Sequence, residues 1–345
     1  MPRSTPITRK VFGANTSIAI SERVKLLSKN TGITMARLFD EAFMDLLCKY
    51  AEKGGISMMS ENDQNPRKLK YAIAIANHKG GVGKTTTTAA LAYLFAKKSD
   101  FRVLLMDADA QINLTQTMET SADGKRDIRM AVLAKIANQP VSVGNFILPT
   151  QYKNIDMIPG SMLIESDSFV SQIHQAKVEE DINPWEEILN EVRDMNQYDV
   201  ILVDTHPSIG TDTLLPMQAC DYVLIPMEAS EKSVAGLFQV YQNIVKSRRK
   251  ANPNIKLLGY FFNKVKLNTG SAKEYIPSAR EMIPEGIKRA NTGESDGICF
   301  ETMVRDSEDA RKSDNMHCAV TERFHNKKIS ADFEKLYNEI MEALA

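Results

Sequence analysis

Eight residues constrain this chain more than any others: Lys79-Gly80-Gly81-Val82-Gly83-Lys84-Thr85-Thr86, placed after the apolar run of 71 to 76 and before a helical pattern from 84 to 97. A glycine loop between a buried strand and a helix turns successive backbone N–H groups inward, and the helix start adds its positive end, so the segment is a cradle for phosphate oxygens. The general phosphate-loop pattern, G-x-x-x-x-G-K-[ST], is met only from Gly83 onward. Its first position falls on His78, and Gly80 and Gly81 stand inside the loop instead. Lys84 is placed to reach the β- and γ-phosphates of a nucleotide, and Thr85 to put its hydroxyl on the accompanying Mg²⁺.

The rest of the chain supplies what such a loop needs. After a polar, breaker-rich stretch containing Gly54-Gly55 and Asn65-Pro66, strand and helix patterns alternate. Buried-type strands are expected at 71–76, 102–106, 155–158, 200–203, 222–225 and 257–262, and helices at 84–97, 185–195, 234–249 and 331–343. That alternation predicts an α/β fold with a mostly parallel sheet flanked by helices. With 43% apolar and 25% charged residues, the chain has globular composition. Its apolar runs are far below the roughly 20 residues of a membrane span. No apolar h-region follows the first residues, which predicts a cytoplasmic protein. Cys48, Cys220, Cys299 and Cys318 form no C-x-x-C pair and read as reduced, structural thiols.

The loop, with Lys79 ahead of its glycines, is the deviant Walker A form, and two further motifs accompany it. Asp107-Ala108-Asp109-Ala110-Gln111 follows one buried strand, and Tyr198-Asp199-Val200-Ile201-Leu202-Val203-Asp204-Thr205 forms another. From Lys70 onward the chain resembles the ParA/MinD family of deviant Walker P-loop ATPases. The resemblance implies ATP and Mg²⁺ as cofactors, and an ATP-dependent homodimer in which Lys79 touches the partner's phosphates. Gly80, Gly81, Val82, Gly83, Lys84, Thr85 and Thr86 would hold the nucleotide. Asp109 would position the attacking water, and Asp204 would support the metal through water beside Thr85. Asn263, at the end of a strand, matches the asparagine that reads the adenine edge. The family commonly continues past the Asp204 strand with two prolines, whereas this chain has His206-Pro207. His206 is either an incidental loop residue or a polar contact to nucleotide or partner.

The C-terminal stretch separates branches of the family. Residues 332 to 342 carry four acids and one base, so anionic lipid would repel them, and Phe333, Leu336, Ile340 and Leu344 form a core-facing stripe. No membrane contact is expected. Cys220 does not resemble one of the paired cluster ligands of the nitrogenase iron protein. The ParA branch is left. It implies slow ATP hydrolysis stimulated by a centromere-binding ParB-like partner, with non-specific binding to nucleoid DNA. Net charge is −1, so any DNA contact must be local. Candidates are Lys246, Arg248, Arg249, Lys250, Lys273, Arg280, Lys288 and Arg289, for which a solvated helix face is the equal alternative.

The expected domains are a unit at 1–52, a linker at 53–69 and the ATPase domain at 70–345. Within the first, Thr16 to Ile20 alternates like a strand, Ser21 and Thr34 are placed to cap two helices, and over the first thirty residues Arg3, Arg9, Lys10, Arg23, Lys25 and Lys29 stand against a single acid, Glu22. This strand-helix-helix order resembles a ribbon-helix-helix module, with Ser17 and Ala19 facing bases and Thr16 or Arg23 on the DNA backbone. A plain helical dimerisation arm fits the same residues. The DNA-reading form would bind operator DNA and make the protein a regulator of its own operon.

Overall fold

The strands β1 (Tyr71–Ile75), β2 (Val103–Ala108), β3 (Leu148–Pro149), β4 (Ile155–Ile158), β5 (Val200–Thr205), β6 (Tyr222–Met227), β7 (Lys256–Phe262) and β8 (Ile298–Cys299) pair in one sheet, ordered β3-β4-β2-β5-β1-β6-β7-β8. Every pairing is parallel except β3 with β4. Nearly all residues of β1, β2, β5 and β6 are buried, as strands covered on both faces must be. The chain leaves β1 for β2 on one side, and later crosses from β5 over β1 to β6 on the other. Such a reversal of strand order opens a crevice at the carboxyl ends of the central strands, and the glycine loop sits there.

The computed structural model describes residues 28–29, 68–120, 126–179, 181–207, 211–266, 269–290 and 297–345. The chain divides into two compact units, Met1–Gly55 and Ile56–Ala345. Of the first, only Ser28 and Lys29 are described. The expected ribbon at 16–20, Arg23 and all but the last two residues of the 53–69 linker therefore lie outside the described residues.

Helices cover both faces of the sheet. They are α1 (Lys84–Lys98), α2 (Asn113–Thr117), α3 (Ile128–Ile136), α4 (Asp167–Glu179), α5 (Pro184–Met195), α6 (Thr211–Gln218), α7 (Glu231–Lys250), α8 (Gly270–Ala290), α9 (Glu308–Asn315), α10 (Val320–Arg323) and α11 (Lys328–Leu344). Ile73, Ile75, Val103, Leu105, Val200 and Leu202 alternate onto the face packed by α1 and α11, which bury Leu91, Phe95, Phe333, Leu336 and Ile340 there. The C-terminal stripe is thus core. Helices α3, α6 and α7 also pack against strands of the sheet.

Candidate active site

The cradle forms as its sequence dictates. Gly81 and Gly83 have φ of 76° and 88°, a left-handed backbone that a side chain resists, and Gly83 ends the loop as the N-cap of α1. A Cβ at Gly83 would lie 2.4 Å from Asn263 Nδ2, so the loop is closed from below as well. That amide donates to Val82 O at 2.8 Å, while Asn263 Oδ1 accepts from Lys264 N at 2.9 Å. Asn263 is therefore a buried support of the loop rather than a lining residue of the cleft. Its neighbour Lys264 lines the cleft instead and donates from Nζ to Gly81 O at 2.6 Å.

A cleft of ≈ 360 Å³ opens above the loop, lined by Gly81, Gly83, Lys84, Thr85, Thr86 and Asp109 from the sequence motifs, with His206, Lys264, Asp314 and His317 from elsewhere. Lys84 is buried, and Nζ donates to Asn77 O at 3.3 Å. Burial pushes its ammonium below the usual lysine range, against the pull of Asp204 and Asp109. Thr85 Oγ1 donates to Asp204 Oδ2 at 2.6 Å, while Asp204 Oδ1, equally buried, has no hydrogen-bond partner. Burial and the neighbouring Asp107 push the Asp204 carboxyl up to about 8. A hydroxyl beside a carboxylate with an unused oxygen is a hard-oxygen pair of the kind a hydrated Mg²⁺ takes. The site fits that ion.

Asp107 and Asp109, although two residues apart, do different work. Asp107 is fully buried and accepts from Thr115 N at 2.9 Å, Thr115 Oγ1 at 2.7 Å and Asp109 N at 3.2 Å, so it staples the loop after β2. Asp109 lines the cleft, and its Oδ1 accepts from Gln111 N at 2.9 Å and meets His206 Nδ1 at 3.0 Å. Across the loop, Lys79 Nζ pairs with Glu228, just past β6, and lies 3.4 Å from Ser233 Oγ.

Comparison with known proteins agrees with this geometry. The profile of the family AAA_31, an AAA domain, matches residues 70–257. The chromosome partitioning protein ParA of Caulobacter vibrioides is 30% identical over 195 residues, covering 56% of this chain and 68% of that one. The chain belongs to the ParA/MinD family of P-loop ATPases. The cell division ATPase MinD of Pyrococcus furiosus shares the fold, with a TM-score of 0.60 at 18% identity over 80% of this chain and 100% of that chain. A plasmid partition protein from Borrelia burgdorferi does so at a TM-score of 0.54 and 20% identity, over 80% and 99%.

The basic candidates of this ParA/MinD-type chain do not gather into one patch. Helices α7 and α8 both return between parallel strands, so both run against the strands and end at the edge opposite the cleft. Exposed Lys246, Arg249, Lys250, Lys288 and Arg289 lie toward that far edge, whereas Lys273 stands in the first turn of α8, at the cleft edge. Arg248 Nε donates to Ile255 O at 2.7 Å, and Arg280 donates to Glu301 O at 2.7 Å, so both hold the chain's own backbone. Arg289 pairs with Glu285 at 3.2 Å. Among the described residues, no helix is long and apolar enough to cross a membrane.

Proposed function

We propose that the protein is a partition-type ATPase that binds Mg-ATP in this cleft, dimerises on it and in that form binds DNA without sequence preference. A centromere-binding, ParB-like partner stimulates its slow hydrolysis and releases it from the nucleoid. The observation that carries the reading is the meeting of Lys84, the Thr85–Asp204 pair and Asp109 around one cleft over a phosphate cradle. The likeness to a chromosome partitioning protein supports the cellular role.

Each residue then has a chemical task. The loop amides and Lys84 hold the β- and γ-phosphates, in a site where burial strengthens every charge interaction. Thr85 and, through water, Asp204 would hold Mg²⁺, whose charge would neutralise phosphate oxygens. Asp109 accepts a hydrogen bond from the attacking water and orients it. Lys79 reaches the second subunit's phosphates by leaving Glu228. Lys246, Arg249, Lys250, Lys288 and Arg289 meet DNA phosphates.

The deciding experiment is co-sedimentation of wild type and Lys84→Ala with random-sequence duplex DNA, in ATP and in ADP, across a salt series. Binding that needs ATP, weakens steeply with salt and disappears in Lys84→Ala is the expected result. Binding indifferent to nucleotide rejects the cycle.

A further inference from the structure

His206 is the residue that departs from the two-proline pattern of the family, and its imidazole lies between two carboxylates. Nδ1 is 3.0 Å from Asp109 Oδ1, and Nε2 is 3.0 Å from Glu165 Oε1. The two partners come from segments far apart in the chain. Asp109 follows β2, whereas Glu165 ends the 3-10 turn Met162–Glu165 beyond β4. The ring is mostly buried at 21% side-chain exposure, Asp109 is at 9%, and Glu165 is at 43%. Both contacts that hold Asp109, from Gln111 N and from the ring, fall on Oδ1, so the rotation of the carboxylate is set and Oδ2 stands outside these bonds.

We infer that His206 is a positioning residue for hydrolysis, which fixes Asp109 through Nδ1 while Glu165 fixes the ring through Nε2. The inference rests on the proposed role of Asp109. An imidazole held at both nitrogens keeps one orientation, and a carboxylate held by it presents its other oxygen to a water without rearranging. A proline at this position has no side-chain donor and cannot make the link.

The test is single-turnover phosphate release from ATP by the full chain, with ATP affinity and melting temperature measured alongside. His206→Ala is expected to slow release about 10–100-fold while ATP affinity stays within about 2-fold. His206→Asn, whose amide stands near the place of Nδ1, is expected to restore most of the rate. His206→Gln, which reaches toward Glu165 instead, is not, and Glu165→Gln should give a smaller loss than His206→Ala. An unchanged rate in His206→Ala overturns the inference, as does equal rescue by Gln and Asn, or a rate loss matched by lost ATP affinity. Asp109→Asn separates the two ideas. If it too keeps the full rate, the proposed role of Asp109 fails with the inference; if it is slow while His206→Ala is fast, the inference alone fails.

Discussion

Asp107 and Asp204 are register partners on β2 and β5, both fully buried, and each is pushed above the usual carboxylate range mainly by burial. For Asp107 the folded value is about 6, because the hydrogen bonds from Thr115 and Asp109 N only partly offset that burial. The folded state therefore binds this proton more tightly than the unfolded chain, whose carboxyl titrates near 4, and stability is lost as pH rises from about 4 to about 6. Asp107→Asn removes that loss. Relative to wild type, the variant is expected to gain up to about 3 kcal/mol between pH 4 and pH 7, read from urea denaturation at both values. At this scale the sequence pointed to residues along one strand end or one loop, and the structure gathers them: Lys84, Thr85 and Asp109 line one cleft, and Asp204 accepts from Thr85. The sequence was silent on Glu165, Glu228, Lys264 and Asp314, because only the strand order brings those segments to the same edge. A carboxylate just past another buried strand is the signal that could have found Glu228.

Among the elements, the sequence pattern located six of the strands and the helices α1, α5, α7 and α11 to within a few residues; it missed α2, α3, α4, α6, α9, α10 and, longest of them, α8. Pro277 and Pro284 sit inside that helix, and each removes a backbone donor that an interior turn normally needs. They stand seven residues apart on the solvent side, so the unpaired carbonyls face water, while Ile276, Ala279, Ile283 and Ile287 bury the opposite face. Burial outweighs propensity here. Helix α11 shows the reverse case, where pattern and packing agree. The acids that set this stretch apart from a lipid-binding tail largely hold the fold: Asp332 accepts from Arg305 at 2.6 and 2.7 Å, Glu339 from Thr302 N at 3.0 Å, and Glu334 from Lys98 at 2.8 Å. Phe333→Ala is expected to destabilise the protein by about 3–5 kcal/mol in urea denaturation, because its ring lies fully inside the core on α1. Glu334→Ala, at an exposed pair, should change stability by less than about 1 kcal/mol.

Over the whole molecule, the proposed DNA contact and the ATP cleft lie at opposite edges of one sheet. Neutralising Lys246 and Arg249 together is expected to reduce the salt slope of ATP-dependent DNA binding by about 0.9 per lost phosphate contact, with ATP turnover in the absence of DNA unchanged. A filter-binding series from 50 to 200 mM salt, on the order of that used for other DNA-binding proteins, measures it. Lys273→Ala, at the cleft edge, should leave that slope as it was. The composition gave no hint of this arrangement, since a net charge of −1 hides where the cations stand. The packing of α11 on α1 also orders events in time. The phosphate loop is made early in synthesis, but the helix that begins at Gly83 cannot bury its outer face until residues 328–344 have left the ribosome. A nascent chain therefore carries the motif before the helix behind it is fully packed.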